Sequence, residues 1–186
     1  LLNSSGKRLS DNKYDEVSAW NESGISMVRI GTKWGFVNKA GKEVLKVQYD
    51  EIGPFDASDL AQVMNEGLYG LVNNLGKVLA PVKYNSIAPF VGGFAKVSID
   101  GKWGVINTEG DEVTPIKYDT FGEYAINGLA LVTADGFIGW VDRGGNEIVP
   151  IANDEVGEWT EDGMNWIRQG ELYGWIDITG KRITKV

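Results

Sequence analysis

Gly101-Lys102-Trp103-Gly104-Val105-Ile106-Asn107-Thr108-Glu109-Gly110 is the clearest copy of a ten-residue phrase that this chain writes five times. Its glycine after the aromatic recurs at Gly35, Gly70, Gly104, Gly139 and Gly174, in steps of 35, 34, 35 and 35 residues. A second glycine follows six residues later each time, at Gly41, Gly76, Gly110, Gly145 and Gly180, and Gly6 adds one more copy upstream. A Tyr-Asp marker holds the same register, at Tyr14-Asp15, Tyr49-Asp50, Tyr84-Asn85 and Tyr118-Asp119, and decays to Asn153-Asp154. Six residues beyond each marker stands an aromatic, Trp20, Phe55, Phe90, Tyr124 or Trp159. Self-similarity at a fixed period of this length is the signature of a repeat architecture.

One copy read in detail predicts an antiparallel meander. Ala95–Ile99 and Lys102–Ile106 flank Asp100-Gly101, a dipeptide suited to the two-residue type I′ turn, which needs positive φ at both positions. Gly31 and Gly170 stand one residue earlier in their hairpins, which predicts a different turn in the first and last copies. The second turn reads Asx-x-x-Gly throughout, with an Asn or Asp able to close its own loop and Gly at the last position. A third strand is expected to end at Pro81, Pro115 or Pro150, because proline cannot donate to a ladder, with a short fourth strand around Lys117-Tyr118-Asp119. In the predicted register Ala95, Val97, Gly104 and Ile106 share one face while Trp103 and Val105 share the other. Both faces are apolar, so each unit needs cover on two sides, and neighbouring units are the natural covers. A ring from the next unit is expected to fill the space beside Gly104.

Composition narrows the function classes. Gly accounts for 25 of 186 residues and Pro for 5, a balance that fits many tight turns between short strands. Lys plus Arg is 18 against 26 Asp plus Glu, a net charge of −8, and no basic patch offers the cations that phosphate binding requires. Nucleic acid is therefore excluded as a partner. With no Cys and no His, disulfide frameworks, thiol nucleophiles, Ser-His-Asp triads and most zinc sites are out of reach. No apolar run approaches the length of a membrane span. The chain opens at Leu1, part-way through a repeat, which reads as a fragment whose targeting signal lies outside it.

The combination Gly-Lys-Trp-Gly-Val-Ile-Asn-x-x-Gly with Pro-Ile-Lys-Tyr-Asp at fixed spacing resembles the WG, or KWG, repeat of bacterial proteins. The likeness runs from about Gly6 to Val186. It implies β-rich units in arrays of variable number, in proteins of the cell envelope or surface, and it brings no catalytic motif. Departures are Lys46 where Pro81 stands in the next copy, Ile138 for Trp, Asn153 for Tyr, and a divergent last unit.

The expected fold is all-β, one domain over residues 1–186, with units near 14–48, 49–83, 84–117, 118–152 and 153–186 and a partial unit at 1–13. An open solenoid-like array is the first expectation and a five-bladed propeller the alternative. Paired carboxylates at Asp15-Glu16, Asp50-Glu51 and Asp154-Glu155 are of the type that serves acid/base or glycosidic chemistry. Because they recur in register with the tyrosine, they are read as turn closers. The Asp-Gly pairs lack the alternating ligands of a calcium loop, and Asn3-Ser4-Ser5 and Asn21-Glu22-Ser23 match the glycosylation acceptor pattern only. Trp34, Tyr69, Trp103 and Tyr173 are read as core. Trp166 is different, since Met27, Gln62, Lys96 and Leu131 hold its place elsewhere. With Trp159, Glu161 and Asn165 it is the candidate binding patch for a sugar or peptide; the competing reading packs Trp166 against a further unit. The function expected is a non-catalytic module for protein or glycan interaction, with a structural spacer as the alternative and a glycan-active enzyme third. No cofactor or metal is expected. The one length-tolerant stretch follows each Tyr-Asp marker and includes Val91-Gly92-Gly93, and function is expected there.

Overall fold

The computed structural model describes residues 13–184. Gly6, the Asn3 acceptor pattern and nearly all of the partial first unit lie outside those residues. Among the described residues all regular structure is β, arranged as five antiparallel sheets of three or four strands. The chain divides into two compact units. One runs to Ile87 and adds Thr108–Asp111; the other comprises Ala88–Asn107 and resumes at Glu112.

In the first unit, one sheet orders β1 (Glu16–Val17), β2 (Ile25–Ile30), β3 (Lys33–Asn38) and β4 (Glu43–Tyr49). The next orders β5 (Glu51–Ile52), β6 (Leu60–Asn65), β7 (Leu68–Asn73) and β8 (Val78–Tyr84), after which β9 (Ser86–Ile87) closes the unit. The second unit holds β10 (Phe94–Ile99), β11 (Lys102–Asn107) and β12 (Glu112–Tyr118). It continues with β13 (Thr120–Phe121), β14 (Ala130–Ala134), β15 (Phe137–Val141) and β16 (Glu147–Asn153). The last sheet has three strands, β17 (Glu155–Val156), β18 (Met164–Gln169) and β19 (Leu172–Asp177).

The hairpin chemistry follows the residues. Asp100 and Gly101 have φ of 50° and 78°, and Glu66-Gly67 and Asp135-Gly136 repeat the pair, which is the type I′ requirement. Gly31 and Gly170, with φ of 60° and 62°, are positive at the first position alone, as in type II′. Val97 pairs with Gly104 and Ser98 with Trp103, so the two apolar faces are those the register implies.

The third strand does not end at its proline. β12 runs through Pro115, and its partners jump from Val105↔Thr114 to Trp103↔Tyr118. Two residues of β11 thus oppose four of β12, and the proline occupies the bulge, where no ladder hydrogen bond is asked of it. The tyrosine of the marker belongs to this same long strand, and the short strand after it opens the next sheet. The bulge also corrects the expectation for Gly104. A Cβ there would meet Ile116 Cγ1 at 2.8 Å and the Pro115 carbonyl at 3.1 Å, and at Gly35 it would meet the Leu45 carbonyl and the Val47 amide, each at 2.7 Å. The glycine is required by the bulged backbone of its own sheet, not by a ring from a neighbour.

Successive sheets within a unit cover one another. The face carrying Phe36, Leu45 and Tyr49 packs on Ala61, Val63 and Val72 of the next sheet, and Phe55 reaches back to Phe36 at 5.7 Å between ring centroids. Tyr118 with Trp103 packs in the same way on Ala130, Val132 and Val141. Trp140 and Val149 pack on Ile167 and Ile176, with Trp159 set edge-on against Trp140 at 5.2 Å. Burial of each such side chain contributes about 1.5–3 kcal/mol.

Gly139→Ala, whose Cβ would meet the Val149 carbonyl at 2.5 Å, is expected to lower the unfolding free energy by about 1–3 kcal/mol. At Gly53 the nearest atom to a Cβ is the Gln62 carbonyl at 3.5 Å, and Gly53→Ala is expected to stay within about 0.5 kcal/mol of the parent. Urea titration measures both, and equal effects would remove the bulge from the explanation.

Candidate functional site

The paired carboxylates are engaged by the sheets. Asp15, Asp50, Asp119 and Asp154 each accept, through Oδ2, a backbone N–H of the hairpin turn 16 residues on, at 2.6 to 2.9 Å. The Lys33 ammonium donates to Asp50 Oδ1 at 2.6 Å, and Lys102 makes the same contact with Asp119. Glu16 pairs with Arg29 at 3.0 Å and Glu155 with Arg168 at 2.8 Å. The lysine hydrogen bond first, and the turn amide second, hold the Asp50 and Asp119 carboxyls below the usual carboxylate range. A carboxyl kept ionised in this way is a poor proton donor near neutral pH.

The four residues singled out in the last repeat do not converge. Trp159 packs inward against Trp140, with its Nε1 buried and without a hydrogen-bond partner. Asn165 is fully buried on the same side; its Nδ2 donates to the Gly157 carbonyl at 3.1 Å. Glu161 is exposed in the loop that the Thr160 Oγ1 closes by accepting the Met164 N–H at 3.0 Å. Trp166, one residue along the strand from Asn165, points to the opposite face.

On that opposite face Trp166 meets Tyr173, which the sequence placed in the core, and Trp175. Trp166 is cross-strand partner to Trp175, and Arg168 to Tyr173. The Trp166 and Tyr173 ring centroids lie 5.9 Å apart at an interplanar angle of 45°. The indole lies over Gly157, where any Cβ would collide with it. Arg168 is tied to Glu155 and donates to the Gly170 carbonyl at 2.8 Å, and the Glu155 contact raises its pKa further above the ordinary value.

Tyr173 is 61% exposed and Trp175 41% exposed, whereas the residues in the Trp175 place elsewhere, Phe36, Leu71, Val105 and Trp140, are all buried. The reason is structural. In each preceding sheet a seven-residue strand pairs with the WG strand, as Trp34↔Tyr49 and Trp103↔Tyr118. Among the described residues β19 has on that side no such strand but the single bridge Ile176↔Arg182, with Ile183 donating to the Trp175 carbonyl at 2.8 Å and the Thr184 Oγ1 accepting the Trp175 N–H at 2.9 Å. The only sequence signal for this exposure is that the last unit diverges, with Arg182 where Glu43, Val78, Glu112 and Glu147 stand.

A family model described as WG containing repeat matches residues 34–69, 69–103, 103–136 and 138–173. No curated protein matches the chain. Among solved structures, Hsv2 of Kluyveromyces lactis aligns at 13% identity and a TM-score of 0.36, over 87% of this chain and 59% of Hsv2. A eukaryotic initiation factor aligns at 11% identity and 0.40, over 86% of this chain and 50% of the other, and the AfRom2 CNH domain at 12% and 0.32, over 98% and 74%.

Because the folded-state pKa values of Asp50 and Asp119 are depressed, their contribution to stability is present above the unfolded value of about 3.9 and is lost as pH falls through the lower folded value. The double variant Asp50→Asn, Asp119→Asn is expected to have a lower urea midpoint than the parent at pH 7. The gap is expected to narrow as the pH is lowered from 5 towards 2.5. A gap independent of pH would assign these residues no role through charge.

Proposed function

The chain belongs to the family of WG-containing repeat proteins, and on that premise we propose that it is a non-catalytic interaction module that binds a glycan or extended peptide through the aromatic face of its last repeat. The observation that carries the reading is the grouping of Trp166, Tyr173 and Trp175 on one sheet face, with Tyr173 and Trp175 the most exposed residues at their repeat positions. Aromatic rings with a polar edge suit surfaces that are wet when free and covered when bound. Their electron-rich faces accept the C–H bonds of a pyranose ring or the flat side chains of a peptide. Arg168 and Glu155 beside them supply donors and acceptors that orient a polar ligand. The non-catalytic reading is supported by the engagement of the acid pairs in turn closure. The family resemblance is the support for proposing a place in the cell envelope or in a secreted protein.

Titration of the chain with panels of soluble polysaccharides and extended peptides, followed by tryptophan fluorescence, tests the reading. A saturable change is expected, reduced at least about tenfold in affinity by Tyr173→Ala or Trp175→Ala. Trp159→Ala instead is expected to lower stability by on the order of 3 kcal/mol. A flat titration across both panels would overturn the binding role and return the spacer reading.

A further inference from the structure

The loops after the marker tyrosines differ in how they close, and the third differs most. Asn21, Asp56, Ala125 and Thr160 each donate their backbone N–H to the carbonyl four residues on, and Asn21, Asp56 and Thr160 also accept the returning amide through their side chains. In the shortened third loop Val91 donates to Phe94 only three residues on, across Gly92 and Gly93 at φ of 61° and 86°. The short turn needs no side-chain cap. The position is therefore released to an exposed valine, and that valine lines the mouth of a groove.

The groove has a volume of about 330 Å³ and lies wholly within the second unit. Phe94, Val105 and Tyr124 form its apolar surface, and Lys96, Glu123 and Arg143 are its charged residues. A counterpart of about 220 Å³ occupies the same place in the first repeat. Comparison of the two separates scaffold from embellishment. Phe36 stands in the first groove where Val105 stands in the third, and the smaller side chain leaves more room. Met27 and Pro54 stand where Lys96 and Glu123 stand, so the counterpart has no charged residue among its lining. The two cations belong to this groove and not to the repeat, whereas the glutamate recurs as Glu158 in the last copy.

Their arrangement is unbalanced. The Lys96 side chain is 17% exposed, and its contact is with the carboxylate of Glu123, which is 88% exposed. A mostly buried lysine side chain is thus matched by a solvated and readily displaced carboxylate. The Arg143 guanidinium lies over the Tyr124 ring at 4.6 Å and has no carboxylate partner among the described residues. The Tyr124 hydroxyl is buried with no hydrogen-bond partner there either, and burial pushes its pKa up to about 12, which keeps it a donor. Two cations beside an apolar floor ask for an anion that carries an apolar body.

We propose that this groove binds a small apolar carboxylate, its acid taken up by Lys96 and Arg143 in place of Glu123 and its body resting on Phe94, Val105 and Tyr124. The site is separate from the aromatic face of the last repeat, and its test is independent of that reading.

The probe is 3-phenylpropionate, with 3-phenylpropionamide as the neutral control, titrated into the full chain and followed by ligand-observed NMR and calorimetry. A Kd of roughly millimolar or below is expected for a ligand of this size, with the amide about tenfold weaker for want of the charge-assisted contacts. Lys96→Met, which installs the residue found at this place in the first repeat, is expected to weaken the acid about tenfold and leave the amide unchanged. Glu123→Gln removes the competing internal carboxylate and is expected to tighten the acid severalfold. Val105→Phe, again the first-repeat residue, narrows the groove towards the 220 Å³ of its first-repeat counterpart and is expected to weaken binding severalfold, with circular dichroism and thermal melting reporting that the variant folds. The proposal is overturned if acid and amide bind alike, if Glu123→Gln weakens the acid, if a folded Val105→Phe binds as the parent does, or if no saturation is reached at 10 mM.

Discussion

The close approach of the second turn glycine to the preceding sheet fixes the spacing of everything else. A Cβ on Gly76 would lie 3.0 Å from the Val44 backbone, and Cβ atoms on Gly110, Gly145 and Gly180 would collide with the carbonyls of Leu79, Val113 and Ile148. Each of these glycines also sits at φ between 80° and 86°, a region that side chains with a Cβ rarely adopt. Two independent requirements, a left-handed backbone and an empty Cβ position, therefore coincide at one residue per repeat. The turn of one sheet can settle on the long strand of the sheet before it only when both are met.

The bulge is the second constraint, and it makes the departures from the motif intelligible. The WG glycine admits the bulged backbone, and the aromatic before it is cross-strand partner to the marker tyrosine. In the fourth sheet both members change together, to Ile138 and Asn153. The buried Asn153 amide donates to the Ile138 and Pro150 carbonyls at 2.9 and 3.0 Å and accepts from Gln169 at 3.1 Å. A polar side chain in place of a large ring is tolerated because its hydrogen bonds are supplied on the spot. Lys46 for proline is equally harmless, since the bulge excuses that residue from the ladder whether or not it has an N–H.

The residues that vary most between copies are those with no part in these constraints. Position 96 and its equivalents face the groove between sheets, and they are Met, Gln, Lys, Leu and Trp in turn. Lys96 meets Glu123 there, whereas Trp166 joins Tyr173 on a face that is exposed among the described residues. The same structural position thus becomes a charged groove wall in one repeat and part of an aromatic surface in another.

The sequence alone determined the all-β class, the period, the turn types and which side chains share a face, because these depend on local requirements. Positive φ demands glycine or a tolerant Asp, and alternation along a strand sets facing. It also pointed to the segment after each marker as the place where copies diverge, and to Trp166 as an outlier. Only the tertiary structure decided that Trp159 and Asn165 turn inward while Trp166, Tyr173 and Trp175 turn outward. That division depends on whether a further strand or sheet covers a face, and coverage is a property of neighbours. In the same way, the groove beside Val105 is larger than the one beside Phe36, a fact about volumes in contact that no spacing in the chain records.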